Sequence, residues 1–151
     1  MTSPRKPLPG VVYPPPALVQ RYKEQGVPID ETLSGAYRQA FRKFADRRAL
    51  VGLESSMTYA ELDRASDAVA VGLARLGLAP LDRAVFQMPN GVPLIICLFA
   101  CWKAGIIPIC TLASHRDAEI SYLAAHGGAR AYFVQAGDPK FDHVEFALGI
   151  Q

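Results

Sequence analysis

The feature that most constrains the fold of this chain is an alternation of helical and strand patterns between residues 58 and 134. Three segments with a helical period of apolar residues are each followed by a short apolar run typical of a buried strand. With their capping residues, the predicted helices are 58–76, 90–105 and 116–126, and the predicted strands are 83–88, 106–110 and 129–134. Because helices separate the strands, we expect parallel pairing through right-handed crossovers. The pattern therefore predicts an α/β fold with a partial parallel (mixed) sheet and flanking helices.

The ends of these helices carry signals that fix their limits. Thr58 and Glu61 have the spacing of a capping box, and Ser114 and Asp117 repeat that spacing. Asn90 is the predicted N-cap of the second helix. In the first helix, the apolar stripe predicts four core-facing side chains, which are Leu62, Val69, Leu73 and Leu76.

Before this alternation the chain has a different composition. Residues 1–16 contain six of the twelve prolines, which predicts an extended leader, so we expect the α/β subdomain to occupy residues 17–151. Within that subdomain we expect a short helix at 18–25, a longer helix at 33–45 and a hairpin formed by 49–53 and 57–59.

Composition and charge restrict the partners. The net charge of +2 on 151 residues is too small to predict nucleic acid or an anionic membrane as a partner. The longest apolar run, 92–102, is too short to cross a bilayer, and the N-terminus lacks the apolar core of a signal peptide. We therefore expect a soluble, cytoplasmic protein.

The three cysteines, Cys97, Cys101 and Cys110, lie in apolar sequence and are an odd number. This pattern favours a reducing compartment over a disulfide framework. Cys97 and Cys101 would share a helix face, but no histidine or further cysteine lies near them in sequence to complete a metal site. We interpret these two as small core residues and predict no metal site.

Ligands of a parallel sheet bind in the loops after its strands, which here are 89–91 and 113–116. Neither loop has the glycine pattern that cradles a phosphate. His115 and Arg116, at a predicted helix start, are weak candidates for a cofactor-binding role, and an exposed first turn is the alternative. We predict no catalytic residue, since His126 and His143 are isolated from each other and from any serine or cysteine with a partner carboxylate.

Three segments in this order resemble the adenylate-forming (AMP-binding) acyl and aryl-acid ligases. They are TYAELDRASDAVAVGLARLGLAPLDRAVFQMPN, LIICLFACWKAGIIPI and SHRDAEISYL. Together with RYKEQG and ETL upstream, they are most similar to the branch of the 2,3-dihydroxybenzoate–AMP ligases. That branch usually has Pro-Ser-His-Arg in the loop where this chain has Ala113.

The resemblance implies the first subdomain of the N-terminal domain of such a ligase. These enzymes use ATP and Mg to convert a carboxylic acid into an acyl-adenylate, and pass the acyl group to the thiol of CoA or of a carrier-protein pantetheine. In the family, the phosphate-binding loop, the ribose-binding acid and the catalytic lysine belong to later segments. The resemblance therefore implies a chain truncated before the ATP phosphate-binding loop, inactive alone and prone to self-association through surfaces covered in the parent enzyme.

Two alternatives remain open. The parent could be a ligase for an alicyclic or fatty acid that transfers the acyl group to CoA. The second alternative belongs to another functional class: the chain could be a free-standing, non-catalytic binding or interaction module that has this fold.

Overall fold

Three parallel strands form the centre of the molecule. In a computed structural model, which describes residues 9–27, 29, 31–52 and 55–150, the strands are β3 (Arg83–Gln87), β4 (Ile107–Cys110) and β5 (Ala129–Val134). The spatial order is β4-β3-β5, and β3 pairs in parallel with both neighbours. The predicted parallel α/β sheet is thus confirmed.

The other elements surround this sheet. They are α1 (Pro16–Glu24), α2 (Leu33–Lys43), β1 (Arg48–Val51), β2 (Ser56–Thr58), α3 (Tyr59–Arg75), α4 (Val92–Ala104), α5 (Asp117–Gly127) and α6 (His143–Gly149). The antiparallel pairing of β1 and β2 confirms the predicted hairpin, although Leu53 and Glu54 lie outside the described residues. Most of the proposed leader, residues 1–8, also lies outside them. None of the helices in the described part of the chain has the length and apolar composition to cross a bilayer.

Helix α3 begins with the predicted capping box. The hydroxyl of Thr58 accepts a hydrogen bond from the N–H of Glu61 at 3.2 Å, and the Glu61 carboxylate accepts one from the N–H of Thr58 at 2.8 Å. Leu62 and Leu73 are buried as predicted. The prediction for Leu76 was wrong, because this residue is the C-cap and its side chain is 79% exposed beyond the last turn.

The predicted caps of α4 and α5 were also wrong. Helix α4 starts from Gly91, one residue after Asn90, and has no side-chain cap, while a proline occupies its first turn. Helix α5 starts from Arg116, whose N–H donates to the carboxylate of Glu119 at 3.0 Å. Ser114 therefore lies two residues before the cap and cannot form the predicted box with Asp117.

Helices cover both faces of the sheet. On one face, Ala84, Phe86 and Met88 pack in one buried cluster with residues of α3 and α4. Alternation along the strand puts Val85 and Gln87 on the opposite face. On that face Ile120 of α5 is fully buried, and it lines the same cavity as Val85. Consecutive crossovers therefore run on opposite sides of the sheet.

The positions of the cysteines agree in part with the predictions for these residues. Cys101 is buried in the core of α4, where burial raises its pKa to about 12, and Cys97 is half-buried on the same helix. Both fit the predicted core role. Cys110 does not lie in apolar surroundings as its sequence context indicated, because it ends the edge strand β4 and is exposed.

The layer formed by α2, α3 and α4 is joined by aromatic and charged contacts. Tyr37 of α2 contacts the rings of Phe99 and Trp102 of α4, at centroid distances of 4.8 and 5.5 Å. Lys103 Nζ donates to Asp63 Oδ1 at 2.5 Å and Asp67 Oδ1 at 2.8 Å on α3. The one charge in an otherwise apolar helix thus links two helices.

Candidate functional site at the carboxyl edge of the sheet

The loops that follow β3, β4 and β5 meet at the carboxyl edge of the sheet. The β3 loop leads to α4 on one face, and the β4 loop leads to α5 on the other. Adjacent parallel strands whose connections diverge in this way form a topological switch point, where ligands of open α/β sheets bind. The structure therefore supports the sequence-based choice of the loops 89–91 and 113–116 as the place to search.

Gln87, the last residue of β3, fixes the shape of this edge. Its side chain is fully buried, and Nε2 donates to the carbonyl oxygens of Ala113 at 3.2 Å and His115 at 2.7 Å. The hydroxyl of Tyr132 on β5 donates to Gln87 Oε1. The amide thus joins three elements and satisfies its main hydrogen-bonding groups. The sequence analysis missed Gln87, and its only signal was an amide at the end of an apolar strand.

Arg116, one of the two candidate binding residues, is engaged within the protein. Its Nη1 donates to the carbonyl oxygens of Ala113 at 3.2 Å and His115 at 2.7 Å. Its guanidinium carbon lies 3.9 Å from the ring centroid of Phe141, so Arg116 links the β4 loop to the segment before α6.

The start of α5 already has an anionic partner, the carboxylate of Glu119. Hydrogen bonding to the N–H of Arg116 is the main reason why the pKa of the Glu119 carboxyl is lowered. A bound phosphate would have to displace this carboxylate, because both compete for the N–H groups at the start of α5. This arrangement weakens the case for a phosphate contact by Arg116.

His115, the other candidate, is half-buried. Its Nδ1 is shielded from solvent and has no hydrogen-bond partner among the described residues. The structure places His115 and Arg116 next to each other at the carboxyl edge of the sheet.

The structure places His143 beside Asp138, a residue that was not among the sequence-based candidates. His143, at the start of α6, is 95% buried, and its Nε2 lies 3.6 Å from Oδ2 of Asp138. Both side chains line a cavity of about 280 Å³ at the carboxyl edge. Pro89 after β3, Ala113 after β4 and residues 135–137 after β5 form its remaining walls. All three strands of the sheet therefore contribute to one small cavity.

The third histidine has a different environment. His126 is exposed near the end of α5, where its ring stacks on that of Tyr122. Across residues 9–150, apart from the few undescribed positions, no cluster of three or more His, Cys, Asp or Glu side chains could hold a metal ion.

A parallel α/β unit with diverging loops at its carboxyl edge defines a ligand-binding class of fold rather than a particular activity. The sequence model of the AMP-binding enzyme family matches residues 37–148, and the chain belongs to this family.

Individual relatives agree with this assignment. Triostin synthetase I of Streptomyces triostinicus is 41% identical over 95% of this chain and 27% of its own length. The 2,3-dihydroxybenzoate-AMP ligase of Bacillus subtilis (strain 168) is 32% identical over 91% of this chain and 25% of its own length. The apo structure of Mycobacterium smegmatis MbtA superposes with a TM-score of 0.71 and 37% identity, over 80% of this chain and 23% of MbtA. The chain thus spans about a quarter of the length of these relatives.

Proposed function

We propose that the chain is the first part of the large domain of an ATP-dependent ligase that activates an aryl acid. The observation that carries this proposal is the similarity to a 2,3-dihydroxybenzoate-AMP ligase along 91% of the chain. The Ser114-His115-Arg116 loop, which resembles that branch, lies at the carboxyl edge in the structure. The complete enzyme would form the aryl-adenylate from ATP, with Mg as counter-ion. It would then transfer the aryl group to a pantetheine of a carrier protein or to CoA.

The contribution of these residues to that activity is structural in our proposal. The two candidate cofactor-binding residues make internal contacts, and the helix start beside them holds the Glu119 carboxylate. We therefore expect the nucleotide phosphates and Mg to be bound by other segments of the complete enzyme. In this account the 151-residue chain alone neither binds ATP at micromolar concentration nor catalyses pyrophosphate exchange.

We further propose residues 1–16 as an extended leader and 17–151 as the N-terminal α/β subdomain, located in the cytoplasm. The free thiols of Cys97, Cys101 and Cys110 fit a reducing compartment. A net charge of +2 offers no basis for binding nucleic acid or a membrane.

ATP–pyrophosphate exchange by the protein encoded by the uninterrupted reading frame tests the activity. We expect exchange that depends on 2,3-dihydroxybenzoate or salicylate and exceeds the exchange with cyclohexanecarboxylate or a fatty acid. A preference for either of the last two would replace the proposal with an alicyclic or fatty acyl-CoA ligase. A stop codon directly after Gln151, together with no exchange, would instead favour a free-standing binding module.

Self-association of the 151-residue chain is part of the same proposal. Leu112, Tyr122 and Leu148 are between 64% and 83% exposed, and exposed apolar surface of this kind recruits partners. Strand β5 also has an unpaired edge among the described residues. Light scattering at about 0.1 mM protein should therefore show dimers or larger species. A clean monomer that binds no hydrophobic dye would contradict this proposal.

A further inference from the structure

We propose that the cavity at the carboxyl edge, lined by Asp138 and His143, binds a small neutral ring that carries a hydroxyl group, such as a phenol. The inference uses only the described residues and does not depend on ATP or on the proposed ligase activity. The site contains a pair of polar side chains that do not hydrogen-bond to each other.

The facing atoms of this pair do not hydrogen-bond to each other. His143 Nε2 and Asp138 Oδ2 are 3.6 Å apart, which is too long for a hydrogen bond. The other oxygen, Asp138 Oδ1, already accepts the backbone N–H of Lys140 at 2.8 Å, and this bond holds the carboxylate in place. His143 Nδ1 has no partner in the described part of the chain, so its hydrogen bonding is incomplete although the side chain is buried.

A hydroxyl group can hydrogen-bond to His143 Nε2 and Asp138 Oδ2 at the same time. Because a carboxylate only accepts, the imidazole nitrogen that faces Asp138 carries the proton. A hydroxyl oxygen that lies beside the pair, within hydrogen-bond distance of both atoms, can accept from His143 Nε2–H while its own hydrogen is donated to Asp138 Oδ2. A carboxylate ligand would be repelled by Asp138, and an ether lacks the hydrogen for the second bond.

The walls of the cavity define the rest of the ligand. Pro89, Ala113 and Ala136 offer apolar surface from three different loops. The volume of about 280 Å³ exceeds the ~150 Å³ of an apolar cavity that holds benzene. It is also below the range of ~300–1,000 Å³ that is usual for drug-sized ligands. One substituted ring fits these limits, whereas a nucleotide does not.

The charges around the cavity agree with a neutral ligand. The Arg116 guanidinium donates to two carbonyl oxygens and lies over Phe141, so its charge is used inside the protein. Asp138 is the single charged side chain of the lining. The site therefore lacks the cationic donors with which proteins bind phosphates and carboxylates.

Titration of the 15N-labelled 151-residue chain with phenol, anisole and benzoate tests the site. Phenol should cause saturable amide shifts at residues 135–138 and at Ala113. Anisole should bind at least about tenfold more weakly because it cannot donate to Asp138, and benzoate should bind more weakly still. Equal binding of phenol and anisole, stronger binding of benzoate, or no saturable phenol shifts at these residues would overturn the proposal.

Substitutions identify the two polar partners. Asp138→Asn keeps an acceptor for the Lys140 N–H but removes the charge, and we expect phenol to bind about tenfold more weakly and the discrimination against benzoate to decrease. His143→Gln keeps an amide donor and should retain more phenol affinity than His143→Leu. His126→Leu, at the exposed histidine, is the matched control and should not alter binding. Unchanged phenol affinity in Asp138→Asn, or a loss in His126→Leu equal to that in His143→Leu, would also overturn the proposal.

Discussion

The helical layer and the carboxyl edge differ in how completely their polar groups are paired. In the layer of α2, α3 and α4, Lys103 donates to two carboxylates and to the carbonyl oxygen of Asp63, and buried Ser66 donates to the carbonyl oxygen of Leu62 at 2.6 Å. At the carboxyl edge, by contrast, His115 and His143 each have a shielded nitrogen without a partner among the described residues. Within the described part of the chain, the buried side-chain atoms without a partner therefore lie in the region where ligands of this fold bind.

This difference indicates a division of roles. Closely packed apolar side chains and fully paired polar groups stabilise a fold, whereas an unsatisfied buried polar atom costs about 1–3 kcal/mol unless another group compensates it. We infer that the helical layer and β3 provide most of the stability of the fold. The unpaired polar atoms at the carboxyl edge lower that stability but remain available for ligand binding.

The largest expected effect comes from the core between β3 and the helical layer. Phe86 is 1% exposed and stacks on Phe133 at a centroid distance of 4.3 Å. Phe86→Ala should lower the free energy of unfolding by about 3–5 kcal/mol, because it removes apolar contacts and leaves a cavity. Leu148→Ala, at a leucine that is 83% exposed, is the control and should have little effect in the same urea titration. Similar losses for both would contradict the assigned core.

Gln87→Leu tests the polar network of the carboxyl edge. The substitution removes two donors and leaves the Tyr132 hydroxyl without its acceptor, and we expect a loss of about 1–3 kcal/mol in the free energy of unfolding. Adding Tyr132→Phe removes the orphaned hydroxyl, so the double variant should be less destabilised than the sum of the single variants. Additive losses in chemical denaturation would mean that these two side chains are not coupled.

Thr58→Ala should have a smaller effect, about 0.5–2 kcal/mol, because it removes the N-cap of α3. Thr58→Ser retains the hydroxyl and serves as the matched control, with a denaturation midpoint near that of the unchanged chain. Equal midpoints for the alanine and serine variants would show that the hydroxyl does not stabilise the helix.

The smallest effect is a dependence of stability on acid pH at the same cap. Hydrogen bonds from the backbone N–H and hydroxyl of Thr58 lower the pKa of Glu61 below its ordinary value of 4.5. Since the folded pKa is depressed, the contribution of Glu61 is present above pH 4.5 and is lost as the pH falls through the folded pKa. Glu61→Gln should flatten this part of the pH profile measured by thermal unfolding, and an unchanged profile would contradict the assignment.

The parts of the fold that sequence predicted well depend on local chemistry. The Thr58–Glu61 box lies within one turn of helix, and the strands of the sheet are short apolar runs between helices, so both signals lie in adjacent residues. The cap of α4 was missed because the sequence does not show whether the helix begins after Asn90 or after Gly91.

The sequence predicted where the site lies but not which side chains contact each other there. Its loops follow from the rule that ligands bind after parallel strands. The bond from Gln87 to His115 spans 28 residues, and that from Tyr132 to Gln87 spans 45, so both depend on the order β4-β3-β5. No pattern in the sequence specifies that order.

Residue-resolved amide hydrogen exchange, with and without phenol, tests the division of roles most directly. We predict that amides in α3, α4 and β3 exchange most slowly, through global unfolding, and that amides at 135–138 exchange faster, through local opening. Phenol should slow exchange at 135–138 and leave α3 and α4 nearly unchanged. Protection at 135–138 equal to that of α3 without ligand, or slowing by phenol only in the helical layer, would contradict the account.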